Sequence, residues 1–116
     1  MATQQAFANP DRRESIVAAV NGLNHADLER LDAWTPLSDL SSRTTFEAID
    51  ADPSSLILGD DGSFEIDAAV YITLVYGPSR DEVSLSDEYP AVVRGSIMSD
   101  GARITELEVD TSSFYR

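Results

Sequence analysis

The chain has 116 residues, of which 42% are apolar and 25% charged, a composition typical of one globular domain. It contains no cysteine, which excludes disulfides, thiolate nucleophiles and cysteine-ligated metal centres. Its 21 acidic residues against 8 basic ones give a net charge of -13, which repels a phosphate backbone and argues against direct nucleic-acid binding.

The acidic composition has two interpretations. All 8 basic residues are arginine, so the bias fits a general adaptation of composition to high salt or to a GC-rich genome. Alternatively, the charge has a role in binding: the surface mimics a polyanion and occupies a basic site on a partner protein, or it steers the protein towards such a partner. No apolar run approaches the roughly 18 residues of a membrane span, and no signal segment is recognisable. We therefore expect a cytoplasmic protein without membrane contact.

The N-terminal third predicts two helices. Residues 1–8 show no periodicity and are expected to form a loose terminus. Asn9 and Pro10 then supply a helix start, and Gly22 supplies a stop, which predicts a first helix over roughly residues 10–21.

The second helix has its own boundary signals. Asn24 can cap its first turn, with Asp27 three positions later in a partial capping box. Leu28, Leu31 and Trp34 then share one face. We expect Pro36 to end this helix, which gives a helical hairpin joined by a very short link.

A change of period marks the start of the sheet. From residue 44 onward the apolar period changes from helical to two. The clearest strand covers residues 64–76, and residues 56–58 precede it across a hairpin turn at residues 59–62. A later strand is predicted from about residue 89 to residue 98.

Asp100 and Gly101 predict the hairpin turn that leads into the last strand, with a positive φ at Gly101. A two-residue turn there would place Ile97 opposite Ile104 and mix polar and apolar side chains on both faces, so a β-bulge could correct the register. Together these elements predict a single α+β domain over residues 1–116, with two N-terminal helices packed on a four- to five-stranded antiparallel meander sheet.

Two exposed features are candidates for partner binding. The loop over residues 77–88 is the longest connection in the predicted sheet and sets several acids against Arg80 alone. The aromatic tail of the chain is either a plug on the core or an exposed anchor, because aromatic side chains are enriched in interface hot spots. The candidate partner-binding residues are Asp81, Glu82, Asp87, Glu88, Phe114 and Tyr115.

Few residues offer catalytic or metal-binding chemistry. His25 is the only histidine, so neither a two-histidine zinc site nor a histidine-based catalytic group is expected. Asp60 and Asp61 could supply oxygen ligands to Ca²⁺ or Mg²⁺, but acids beside glycine are what a turn requires. The pair Asp50 and Asp52 is equally unspecific. We expect no metal ion, no cofactor and no identifiable catalytic residue.

Three functions remain. The leading hypothesis is a non-enzymatic protein-interaction protein of the immunity, inhibitor or accessory-subunit type, which uses the acidic loop, the sheet surface or both. The alternative is a small-ligand-binding domain with a pocket between the helices and the sheet, lined by Trp34, Phe46, Tyr71 and Tyr76. A carboxylate-based enzyme is the third.

Overall fold

Three short helices come first among the residues that the structure describes. A computed structural model describes the chain over residues 10–78 and 80–115, so the predicted loose terminus at residues 1–8 lies outside the described residues. The helices are α1 over Pro10–Asn21, α2 over His25–Arg30 and α3 over Thr35–Ser38. The first of these has the predicted bounds.

The ends of α2 follow from its sequence. Asn24 accepts the backbone N–H of Asp27, and the Asp27 carboxylate accepts the Asn24 N–H, both at 3.0 Å, which completes the capping box. The prediction that Pro36 ends this helix is wrong. The helix ends at Arg30, and Asp32 has a φ of 60° that interrupts the helical path. Pro36 lies in the first turn of α3, where its missing N–H costs no intrahelical hydrogen bond.

Antiparallel strands form one sheet after the helices. They are β1 over Arg43–Ala51, β2 over Ile57–Leu58, β3 over Ser63–Tyr76, β4 over Val83–Met98 and β5 over Gly101–Val109. The strand order is β1-β3-β4-β5, and the short β2 continues after β1 along the same edge of β3. The predicted α+β class with an antiparallel sheet is therefore confirmed.

The sheet has two faces of different character. Its inner face carries the even-numbered residues of β3, and its outer face carries the odd-numbered ones. The buried inner-face residues of β3 include Phe64, Ile66, Val70, Ile72 and Leu74. The helices contribute Ile16, Val20, Leu28 and Leu37 to the same hydrophobic cluster. Residues of α1 contact β1, β4 and β5, and residues of α3 contact β1.

The turn between β4 and β5 lies one position earlier than predicted. Gly101 pairs with Met98, so the two residues of the turn are Ser99 and Asp100. Gly101 does have the predicted positive φ, at 127°. The first residue of β5 therefore adopts a backbone conformation that glycine tolerates because it has no side chain.

The turn and a β-bulge between Arg94 and Gly95 together set the register of this hairpin. The earlier turn places Ile104 opposite Gly95 and not opposite Ile97, and the bulge then shifts the register by one residue, which places Leu107 opposite Val93 on the inner face. Gly95 also makes room for an aromatic ring, because a Cβ atom there would lie 2.7 Å from Phe64 Cζ. The suggested β-bulge is present, and Ile97 pairs with Ala102 and not with Ile104.

Strand β4 is much longer than predicted. It begins at Val83 and pairs with β3 from that residue, so the predicted loop over residues 77–88 shrinks to residues 77–82. Most of its first residues are polar, and a strand that is exposed on both faces lacks the clean apolar alternation that marks a half-buried one. Its backbone pairing, and not its side-chain pattern, makes it a strand.

Candidate functional site

The N-terminal part of β4 stands at the edge of the sheet. Residues Val83–Glu88, which we name the β4 arm, pair on one side with Tyr71–Tyr76 of β3. On the other side β5 pairs with β4 only from Ala91 onward, so no strand within the described part of the chain covers the arm. Every side chain of the arm is exposed, including Val83 at 56% and Leu85 at 53%.

The uncovered side of the arm carries backbone groups that point away from β3. In an antiparallel strand the N–H and C=O of one residue point to the same side, and successive residues alternate. The C=O of Pro90 accepts the N–H of Asp110 at 2.9 Å on the β5 side. By the same parity, the backbone groups of Ser84, Ser86 and Glu88 point outward.

Part of this edge is already protected from pairing with another strand. Asp87 Oδ1 accepts the Glu88 N–H at 2.9 Å, and Asp87 Oδ2 accepts the Tyr89 hydroxyl at 2.8 Å. Pro90 has no N–H to offer. The outward N–H donors left on the arm are therefore those of its serines, and the carbonyl groups of the arm provide acceptors beside them. Blunting an edge with proline and acidic residues is a common way to limit its pairing.

The predicted acidic residues lie at the two ends of the arm. Asp87 and Glu88 form its C-terminal end, and Asp81 and Glu82 precede its N-terminal end. Glu82 forms an ion pair with Arg43 of β1, while the other three carboxylates belong to exposed side chains. The structure thus connects these residues by a strand and not by one loop.

The aromatic tail lies in a separate element. The last described turn is a 3-10 helix over Ser112–Tyr115, and Phe114 is 37% exposed within it. The side chain of Tyr115 lies outside the described part of the structure. The role of Phe114 and Tyr115 in partner binding stays a prediction.

A shallow concavity on the outer face adjoins the arm. It has a volume of about 340 Å³ and is lined by Glu47, Tyr71, Ile72, Ser86, Asp87 and Glu88. Glu47 accepts the Thr73 hydroxyl at 2.8 Å, which fixes this carboxylate on the outer face. Acidic residues from β1 and β4 therefore line the same concavity as Tyr71.

A second acidic group on the outer face surrounds Arg94. This guanidinium donates to Glu65 at 3.0 Å, to Glu106 at 2.9 Å and to Glu108 at 3.2 Å. These carboxylates, Glu65 first, raise the pKa of Arg94. The group is not recognisable in the sequence, because the register of β3, β4 and β5 decides which charges meet.

The aromatic residues predicted to line a ligand pocket do not meet in one space. Phe46 and Tyr76 lie on the inner face, whereas Tyr71 lies on the outer face because it is an odd number of positions from Tyr76. Trp34 packs against His25, with 4.2 Å between the ring centroids. Tyr71 instead lines the concavity beside the arm.

The acidic turn at Asp60 and Asp61 has a local explanation. Asp61 Oδ1 accepts the Ser63 N–H at 3.1 Å and the Ser63 hydroxyl at 2.7 Å, and these bonds lower the pKa of Asp61. Asp52 accepts from Ser54 in the same way. Over residues 10–78 and 80–115, no group of three or more histidine or acidic residues is placed to hold a metal ion.

Comparisons with protein-family models, with curated proteins and with solved structures found no match to this chain. None of the helices in the described residues is long and apolar enough to cross a bilayer. The geometry of the arm and of the outer face is therefore the basis for a functional proposal.

Proposed function

We propose that this protein is a non-enzymatic protein-interaction protein of the immunity, inhibitor or accessory-subunit type, and that it binds a basic partner through the β4 arm. The observation that carries this proposal is the exposure of every arm side chain within a regular strand. Proteins usually cover such an edge or keep it very short, because it can otherwise pair with other chains. An edge that remains open in a long strand is suited to binding.

The charge around the arm favours a basic partner. Asp81, Asp87 and Glu88 are exposed near the two ends of the arm, and Glu47 adds a carboxylate on the outer face. Arg43, the β1 residue that reaches this region, is paired with Glu82. A local excess of negative charge speeds encounters with basic surfaces and has less effect as salt rises.

Apolar surface on the arm would hold the partner after the encounter. Val83 and Leu85 pair across the ladder with Tyr76 and Leu74, so their side chains extend the inner face beyond its buried part. Burying apolar surface contributes roughly 25 cal/mol per Å². In this proposal the acids govern the association rate, and the apolar residues lengthen the lifetime of the complex.

Association kinetics test this proposal. The partner is first obtained by affinity purification from the native host at its native salt concentration. Its association rate is then compared for the parent and for the arm variant Asp81→Asn, Glu82→Gln, Asp87→Asn, Glu88→Gln. We expect the variant to associate about tenfold more slowly at low salt, with a difference that shrinks as salt screens the charges.

A matched control removes the same number of charges elsewhere. The control variant carries Glu14→Gln, Glu29→Gln, Asp32→Asn and Asp39→Asn, all at exposed positions in or beside the helices. It has the same net charge as the arm variant and should associate nearly as fast as the parent. Equal rates for the parent and the arm variant at low salt would contradict the proposal.

The concavity beside Tyr71 supports a second candidate function, the binding of a small cationic ligand. A ring flanked by Glu47 and Glu88 offers cation–π and ionic contacts to an amine. A set of small amines, screened by NMR chemical-shift changes, would test this function. Saturable chemical-shift changes that are lost in Tyr71→Ala and retained in Tyr76→Phe would support this function. Chemical-shift changes that scale only with ionic strength would oppose it.

A further inference from the structure

We infer that the β4 arm binds its partner by strand addition, taking up an extended segment in which apolar residues alternate with arginine or lysine. This inference rests on the proposed function and specifies its mode of binding. The pairing of β5 with β4 ends at the hydrogen bond between Pro90 and Asp110. The added strand would pair with the same edge of β4 beyond that point. The arm is long enough for a segment of about six residues.

The backbone of the arm supplies the hydrogen bonds for this mode. The outward N–H groups of Ser84 and Ser86 have no strand partner within the described residues, and the carbonyl groups of Ser84, Ser86 and Glu88 point the same way. Strand addition satisfies main-chain groups of this kind whatever the partner's sequence. The side chains on the two faces then provide specificity.

The side chains of the arm define the chemistry of the added segment. On the inner face Val83 and Leu85 are more than half exposed, and an apolar residue beside each would bury them. On the outer face Glu88 lies near Glu47 around the same concavity, so a basic residue there meets opposite charge. The segment that fits is therefore apolar on one face and basic on the other.

A second copy of the chain is disfavoured at this edge by charge and, in the pairing centred on Ser86, by its side-chain contacts. An antiparallel pair that uses the outward groups of both copies and is centred on Ser86 places Glu88 opposite Ser84 and Asp87 opposite Leu85. Each exposed Leu85 would then face a carboxylate instead of an apolar side chain. Such a dimer would also join two chains that each carry a net charge of -13.

A synthetic peptide tests the inference directly. The probe is a fluorescent, end-capped peptide of the sequence Arg-Val-Arg-Val-Arg-Val-Arg, and its binding to the full chain is followed by fluorescence anisotropy. Two further peptides carry backbone N-methyl groups, one on the central arginine residues and the other on the valine residues. All three have the same side chains and the same charge, so electrostatic attraction alone treats them alike.

The two N-methylated peptides should differ in affinity. In antiparallel addition the residues opposite Ser84, Ser86 and Glu88 direct their N–H groups to the arm, and these are the arginines. Methylation of the arginine backbone should weaken binding by about tenfold, whereas methylation of the valine backbone should leave affinity within about twofold. The reverse pattern would indicate parallel addition and also supports the inference. Equal affinities of both methylated peptides would overturn it.

A pair of variants tests the same point on the protein. Ser86→Pro removes one outward N–H and leaves the hydrogen bonds to β3, and Pro90 shows that this strand accepts proline at the same parity. Ser86→Ala removes the hydroxyl but keeps the N–H. We expect Ser86→Pro to bind the probe about tenfold more weakly and Ser86→Ala to bind it like the parent. Should Ser86→Pro fail to fold, the methylated peptides still decide the question.

Failure of this inference can be separated from failure of the proposed function. If the arm variant with neutralised acids associates slowly with its partner but both methylated peptides bind equally, the acidic side chains bind the partner and strand addition is wrong. If the arm variant associates at the parental rate, the proposed function itself fails.

Discussion

Gly95 lies where β4, β5 and the Phe64 ring come into close contact. A Cβ atom at this position would overlap the Arg103 carbonyl oxygen and lie 2.7 Å from Phe64 Cζ. We expect Gly95→Ala to lower the free energy of unfolding by about 1–3 kcal/mol, because strands or ring must shift. Urea denaturation measures the loss, and the neighbouring Ser96→Ala should change stability by less than about 0.5 kcal/mol. Equal midpoints for both variants would show that the strands are not this close.

Asp61 provides a test at the level of one carboxyl group. Its hydrogen bonds from Ser63 favour the charged form and lower its pKa in the folded protein. The associated stabilisation is therefore complete above the pKa of the unfolded carboxyl group and is lost as the pH falls through the lower folded-state pKa. Ser63→Ala removes the hydroxyl donor and should move the pKa of Asp61 back towards its ordinary value.

Carboxyl ¹³C NMR titration follows Asp61 directly. Ser54→Ala is the matched control, because Ser54 makes the equivalent bonds to Asp52 in another turn. It should leave the titration of Asp61 unchanged. An Asp61 curve that does not move in Ser63→Ala would show that the serine hydroxyl is not the cause of the shift.

At the scale of elements, Arg94 joins three strands through charge. Its replacement in Arg94→Gln leaves Glu65, Glu106 and Glu108 close together without their shared cation. At low salt we expect Arg94→Gln to have a lower melting temperature than the parent. The difference in melting temperature should narrow towards molar salt, because added ions screen the repulsion. Arg30→Gln, which breaks a pair with a single carboxylate, is the control and should show a smaller gap. A gap independent of salt would mean that Arg94 acts through packing.

The elements that the sequence predicts well are those with local determinants. The helix start at Pro10 and the cap at Asn24 depend on residues within one turn, and the strand at β3 depends on strict alternation. Pro36 was misassigned because proline is compatible both with a helix end and with the first turn of the next helix. The arm was missed because a strand exposed on both faces has no buried side to set a pattern.

The candidate site was only partly predictable for a related reason. The length and charge of a predicted loop point to Asp87 and Glu88, but their position on an open edge depends on where β5 ends. The Arg94 group depends on the register beyond the β-bulge, and the side-chain pattern suggests a bulge without fixing the residue at which it lies. By contrast, the placement of Tyr71 and Tyr76 on opposite faces of the sheet follows from strand parity alone and is predictable from the sequence.

At the scale of the whole molecule, net charge is expected to lower stability. The charge of -13 makes the carboxylates repel one another in the folded state more than in the expanded chain. We expect the melting temperature of the isolated protein to rise steadily from low to molar NaCl as this repulsion is screened. Differential scanning calorimetry measures the trend. A melting temperature that falls with salt would indicate that the ion pairs of the sheet outweigh the repulsion.

The alternating backbone of the β4 arm has a consequence for amide hydrogen exchange. The N–H groups of Val83, Leu85 and Asp87 point to β3 and should exchange slowly, while those of Ser84 and Ser86 meet solvent and should exchange about a hundredfold faster. From residue 91 to residue 94, where β4 has partners on both sides, every amide should be slow. NMR of the free protein would thus show protection from exchange at alternate amides in the arm and at every amide from residue 91 to residue 94. An added strand would extend the continuous protection into the arm.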